Sequence, residues 1–295
     1  MNSHVDCIAC IINKADQLAD KYIKDKKEKY NFMNKVLLEV ADTDFSKTAP
    51  YISTKVMRLL HNATGVDDFY KEEKMLFNEK LLGMEENITS MLDDSNNRLM
   101  DALRIAMAGN IVDFGALDNI TIELVKDIIT KTMDSNINSS VYKRFNIELE
   151  NAKDILYLGD NTGEIVFDKI LLCEIKRQYP NLTIYFATRG KPALNDANEE
   201  DAYYVGIDKY AKIINNGTDI PGTDLDEVSQ EFKEVFNKAD MIISKGQGNF
   251  ETLSGTGYNI FYLFLCKCDM LTKRLNIEKL SAMFLYEKEL NTEIL

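Results

Sequence analysis

At 295 residues the chain has room for one large domain or two ordinary ones. It is 45% hydrophobic and 28% charged, an ordinary globular composition with ample apolar material for a core. The formal net charge of -13, 35 Lys+Arg against 48 Asp+Glu, argues against nucleic acid and against an anionic membrane surface, both of which select a basic face.

The longest strongly apolar run, Ile260 to Cys266, is far short of the roughly 18 residues that span a bilayer. Met1 to Asp6 lacks the charged-then-apolar layout of a signal peptide, so a cytoplasmic protein is expected. Five cysteines, an odd number, do not read as a disulfide framework, and two histidines argue against a His-rich zinc site.

Glycine divides the chain. Gly65, Gly83, Gly109 and Gly115 precede residue 150 and the other ten of 14 follow it, as do Pro180, Pro192 and Pro221. Because Gly and Pro punctuate turns, residues 1–150 are expected to be helical, and residues 151–295 to alternate many short elements. Helical spacing recurs in Ile8, Ile11, Ala15, Leu18 and Tyr22, then in Ile52, Val56, Leu60 and Ala63, then in Leu99, Leu103 and Met107. Asp118 and Asn119 read as caps for an apolar stretch from Ile120 to Ile129, and residues 136–140 as a loop.

In the second half, Ile155 to Leu158 predicts a strand, Glu164 to Gln178 a helix, Leu182 to Ala187 a strand and Asn195 to Val205 a helix. Ile213 and Ile214 predict a strand before a turn-rich stretch to Thr223. Leu225, Val228, Phe232, Val235 and Phe236 then mark an amphipathic helix. Met241 to Ile243 and Ile260 to Cys266 are further strands. Repeated strand–helix units with wholly apolar strands predict an α/β fold with a mostly parallel sheet covered on both faces. Ligands of such sheets bind at the carboxyl ends of the strands, so the residues just after each strand carry the chemistry.

Those strand ends are GDNTGE (residues 159–164), RGKPALNDA (189–197), NNGTDIPGTD (215–224) and KGQGNFETL (245–253). Asp160, Asn161 and Asp196 offer hard oxygen ligands suited to Mg²⁺, Mn²⁺ or a similar divalent ion. Lys245 adds a positive charge. Gly246 and Gly248 let backbone N–H groups approach an anion such as phosphate. Glu164 is placed to take a proton from water or to position a substrate hydroxyl. Asp and Asn after a strand also serve as turn and cap residues; what weighs for a site is that such clusters follow consecutive strands.

Other motifs are absent. A dinucleotide fingerprint lacks its glycines, no G-x-x-x-x-G-K-[ST] occurs, and Thr162 stands where a haloacid-dehalogenase-like phosphatase has a second Asp. A methyltransferase would carry more glycines after the first strand.

In chain order, CIAC (residues 7–10), YKEEK (70–74), GNIVDFG (109–115), GDNTGE, RGKPALNDA and KGQGNFETL together resemble the DUF89 family of metal-dependent damage-control phosphatases, in the prokaryotic branch with an N-terminal C-x-x-C. The resemblance covers most of the chain. It implies a helical N-terminal region, residues 1–150, packed on a three-layer Rossmann-like α/β domain, residues 151–295. It implies hydrolysis of phosphate monoesters of small metabolites, sugar phosphates or damaged phosphometabolites, with a divalent metal such as Mg, Mn, Co or Ni. Metal-activated water is expected as the nucleophile, rather than a covalent step on Asp160.

By motif position Asp160, Asn161 and Asp196 look like metal ligands, and Lys245, Gly246, Asn249 and Arg189 like the phosphate-binding segment. Glu164 looks like a pocket residue. Asn110 and Asp113 are either a helix end or a corner that closes over the cleft. Tyr70 to Lys74 reads as a solvated helix face. Cys7 and Cys10 read as small residues packed at a helix start, in preference to a redox pair or a zinc site completed by Cys266 and Cys268. The classes left beside a phosphatase are a non-catalytic regulator that binds a metal or phosphometabolite and, less favoured, a Rossmann-like methyltransferase; oligomeric state is left open.

Overall fold

The structure is a computed structural model that describes residues 1–109, 121–133, 135 and 137–291. Asn110, Asp113, Asp118 and Asn119 lie outside the described residues, and so does Asn136.

Among the described residues, helices fill the first half: α1 (Val5–Tyr22), α2 (Lys26–Asp42), α3 (Ala49–Thr64), α4 (Lys71–Leu82), α5 (Glu85–Thr89), α6 (Arg98–Ala108), α7 (Ile122–Met133) and α8 (Ser139–Asn151). Their ends follow capping chemistry. Asp25 and Thr48 cap α2 and α3 through their side chains, Pro50 sits in the first turn of α3, and Gly65 closes α3 in the left-handed region. Of the stretch expected as a loop, Ile137 and Asn138 are irregular, but Ser139 already begins α8, with Asn138 accepting from the Ser140 amide as its cap.

The second half builds a six-stranded sheet from β1 (Asp154–Leu158), β2 (Thr183–Thr188), β3 (Lys212–Asn215), β4 (Met241–Lys245), β5 (Ile260–Leu265) and β6 (Ala282–Tyr286). The order is β3-β2-β1-β4-β5-β6, parallel except for β6, which pairs antiparallel with β5. The intervening helices are α9 (Glu164–Gln178), α10 (Glu199–Val205), α11 (Gln230–Lys238), α12 (Gln247–Leu253) and α13 (Asp269–Leu275).

Two expected helices begin later than their apolar spacing suggests. Asn198 and Asp201 form a reciprocal capping box, so α10 starts at Glu199 and Asn195 stays in the turn before it. Ser229 caps α11, leaving Leu225 and Val228 in the turn before it. The edge strand β6 has no expected counterpart, since only alternate residues of it are buried.

Side chains of the buried strands alternate between two cores. Ile155 and Tyr157 of β1 join one cluster with Phe77, Leu103, Phe145 and Phe167 from α4, α6, α8 and α9. Leu156 and Leu158 join another with Phe232, Phe236 and Phe250 from α11 and α12. The sheet's core thus crosses residue 150 and includes most of the helical half. Only α1–α3 have a separate core, built on Leu18, Val36, Ile52 and Leu60, and α3 touches α12 at the carboxyl edge of the sheet. Among the described residues no helix is long and apolar enough to cross a membrane.

Gly163 joins the two halves. It has φ +75°, its amide donates to Asn78 Oδ1 of α4 at 2.7 Å, and a Cβ there would stand 2.1 Å from Phe77 Cδ1. Gly163→Ala is therefore expected to cost about 3 kcal/mol through backbone strain and overpacking, read as a fall of several degrees in Tm. A Tm within a degree of wild type would refute this docking.

Candidate functional site

The sheet order reverses between β1 and β4, where two parallel strands send their following helices to opposite faces and leave a crevice at their carboxyl ends. β1 delivers Asp160 and Asn161 there. The loop after β2 turns back to the same place: Thr162 N donates to Asn195 O at 3.0 Å, Ala197 N to Asp160 O at 2.8 Å, and Asn161 bridges Asp196. β4 delivers Lys245 and Gly246. A Cβ on Gly246 (φ +81°) would lie 1.9 Å from Asp160 Oδ2, so only glycine lets the start of α12 approach this carboxylate. Asp160, Asn161, Asp196, Gln247, Gly248 and Lys267 line a cavity of about 790 Å³.

Beneath the cavity runs a buried polar network. Arg189 donates from Nε to Asp196 Oδ2 at 2.6 Å, from Nη2 to Asp160 Oδ1 at 3.4 Å and from Nη1 to Asn249 Oδ1 at 3.4 Å. Asn249 is a clasp: its Nδ2 donates to Gly159 O and Lys245 O, and its Oδ1 accepts from Thr223 Oγ1 at 2.8 Å. Lys245 Nζ donates to Ala106 O at 2.8 Å, to Glu164 Oε1 at 2.5 Å and to Asp168 Oδ1. Tyr157 donates to the same Asp168 oxygen at 2.8 Å. Asn161 Nδ2 links the two parts, donating to Asp160 Oδ2 at 2.8 Å and Glu164 Oε2 at 3.2 Å.

Burial raises the Asp160 pKa well above the carboxylate range, helped by the nearby Asp196 and Glu164 charges and opposed by Arg189. Burial likewise raises Asp196 against the pull of Arg189. Burial lifts Asp168 to about 7 although Lys245 opposes it. For Lys245 burial works against the charge, yet Asp168 and Glu164 prevail and push its pKa up to about 12. Fully ionised, Asp160, Glu164, Asp168 and Asp196 outnumber Arg189 and Lys245 by two negative charges in a buried space. An excess of that size is costly without a compensating cation. Two carboxylates and an amide oxygen on the cavity wall form a hard donor set that suits a divalent ion completed by water or substrate oxygens.

Asp160, Asn161 and Asp196 thus come together on the wall, with Gly246 against them. Glu164, Arg189 and Asn249 sit one layer below, engaged by protein partners. Lys245, expected to meet phosphate, does not reach the cavity: it is 0% exposed and all three of its donors are used inside the protein. Lys74, expected on a solvated helix face, is 2% exposed and pairs with Asp68 at 2.9 Å and Asp201 at 3.7 Å. Asn110 and Asp113 fall outside the described residues; the preceding Gly109 packs against Phe167 and Glu164.

Cys7, Cys10 and Cys268 line the cavity mouth as free thiols, and no three His, Cys, Asp or Glu among the described residues are arranged as a metal cluster. Asp168 and Lys267 were not singled out by the sequence reading. An acid one helical turn after Glu164, inside the apolar pattern of α9, is the signal for Asp168; Lys267 comes two residues after the fully buried β5, much as Lys245 ends the fully buried β4.

Residues 3–283 match the family model described as damage-control phosphatase ARMT1-like domain. The chain is 34% identical over 284 residues to an uncharacterised protein of Methanocaldococcus jannaschii, covering 92% of this chain and 91% of that protein. It is 33% identical over 285 residues to a damage-control phosphatase of Pyrococcus horikoshii, covering 95% and 96%. The crystal structure of a DUF89 family protein from Pyrococcus horikoshii superposes with a TM-score of 0.88 at 30% identity, over 98% of this chain and all of that one.

Replacing Lys245 by Met strands Glu164 and Asp168 in the interior, and is expected to cost about 3–5 kcal/mol, read by chemical denaturation without any ligand. Wild-type stability in that variant would return Lys245 to the cavity. A second expectation concerns Glu251, on the cavity wall, whose pKa burial lifts to about 6 although Gln247 donates to it. The folded state then binds more protons than the unfolded one between about pH 4.5 and 6, so stability falls as pH rises through that window. Relative to Glu251→Gln, the wild type should lose roughly 2 kcal/mol there; parallel stability–pH curves would contradict it.

Proposed function

The chain belongs to the damage-control phosphatase ARMT1-like family and is a phosphatase; from that premise we propose that it hydrolyses phosphate monoesters of small metabolites with a divalent metal held by Asp160, Asn161 and Asp196. The observation that carries this reading is the convergence of those three residues on one cavity wall above a buried cluster in which carboxyl groups outnumber cationic side chains. When bound, a divalent cation supplies charge to the phosphoryl oxygens and to the attacking water.

The protein's own residues fix the geometry. Arg189 holds Asp160 and Asp196 on one guanidinium. Glu164 and Asp160 fix the Asn161 amide nitrogen, which leaves its carbonyl oxygen as the ligand on offer. Glu164 therefore serves as a positioning residue, and Lys245 pairs with it from below. Lys267, half-buried on the cavity wall and close enough for its charge to favour ionised Asp160, takes the phosphate-facing role expected of Lys245.

The test is phosphate release from a panel of sugar phosphates by metal-stripped protein, with Mg²⁺, Mn²⁺, Co²⁺ or Ni²⁺ added back. Asp160→Asn is expected to lower kcat about 100-fold or more, and Lys267→Ala to raise KM about tenfold with a smaller change in kcat. Turnover that survives chelation would overturn the metal reading. Metal-raised Tm without release from any ester would instead favour a binding role.

A further inference from the structure

A second cleft, about 410 Å³, lies beside the catalytic cavity. The two share three lining residues: Ser53 of α3, Leu194 in the loop after β2, and Pro221 in the loop after β3. Ser53 is small and Pro221 is fixed, so Leu194 is the one long side-chain residue in the partition. It is also in an unusual backbone state. Its φ is +50°, in the left-handed region that a branched aliphatic residue rarely adopts. The loop holds it there from both sides: Asp196 N donates to Ala193 O at 2.9 Å, and Asn195 O accepts from Thr162 N at 3.0 Å. A strained leucine kept two residues from Asp196, where glycine or asparagine would sit without strain, points to a role for its side chain.

Beyond the partition the cleft is mixed, with Met57, Phe69 and Pro192 beside charged groups. Arg58 makes a bidentate pair with Asp219 at 2.8 and 2.6 Å, and Tyr70 and the exposed Lys191 complete that side. Asp67 and Asp68 add acceptors, so this lining suits a neutral group carrying hydroxyls or an aromatic ring on the far end of a leaving group.

We infer that Leu194 is a specificity-determining residue. It closes the catalytic cavity against the second cleft and so selects phosphate monoesters with a compact leaving group over those whose leaving group extends past one sugar ring. The inference rests on the reading that Asp160, Asn161 and Asp196 mark the reacting end of the cavity. Removing the leucine side chain joins the two spaces and admits the longer esters.

The test compares adenosine 5′-monophosphate, an extended ester, with glycerol 3-phosphate, a compact one, on the full chain with its activating metal. The proteins are wild type, Leu194→Ala and Leu194→Gly. Alanine removes the partition and keeps the strained φ; glycine removes both. The ratio of kcat/KM for the extended over the compact ester is expected to rise about tenfold or more in both variants, chiefly through KM. A ratio changed less than threefold in both would overturn the inference. So would a change confined to Leu194→Gly that affects both esters equally, since that belongs to backbone strain. If the wild type releases phosphate from neither ester, the reading of the reacting end has failed. The same ratio is then read from calorimetric affinities of the two esters, and the same thresholds decide.

Discussion

A fully buried lysine organises this protein. Lys245, at the end of β4, sends its ammonium to Ala106 O of α6 and to Glu164 and Asp168 of α9. The desolvation of one ammonium and two carboxylates is tolerable only if every donor is matched, because each group left alone in the interior costs several kcal/mol. That requirement ties the end of α6 to the sheet and fixes the first two turns of α9. Through Glu164 and Asn161 it also sets the position of the Asp160 carboxylate. The wall of the cavity is in this sense the outer layer of a structure whose inner layer is the lysine.

The second constraint is close approach. Asp160 can stand beside the start of α12 only because Gly246 has no side chain, and α4 can reach the turn before α9 only because Gly163 has none. Both glycines have positive φ, so conformation and contact select the same residue. The helical half is then not a detachable cap. Helices α4, α6, α7 and α8 share a core with β1 and α9, while only α1–α3 keep a core of their own and meet the cavity at its rim.

Much of this was legible in the chain. Helical spacing identified α1, α3, α6 and α9, and largely apolar runs identified β1, β2, β4 and β5, since a strand buried on both faces has little polar alternation to hide it. The edge strand β6 was not legible because half of it faces outward and its pattern is that of many loops. Helix starts at Glu199 and Gln230 were missed by a few residues because apolar spacing continues through a turn, whereas the cap ends the extended chain. Asp160, Asn161 and Asp196 were readable as a group because each follows a predicted strand or its loop, and a parallel sheet gathers such residues on one edge.

What the sequence determined by itself is therefore the set of residues at the carboxyl edge and their type: hard oxygen donors, a lysine and glycines, in four strand-end clusters. Tertiary structure alone decided their depth. Whether a lysine after a strand faces a cavity or the interior depends on what packs over it, and here α6 and α9 cover Lys245 with a carbonyl and two carboxylates. Lys267, with the same local signal, stays at the cavity because no comparable layer covers it. Depth is a property of neighbours distant in the chain, such as Ala106 and Lys245, and no local spacing encodes it.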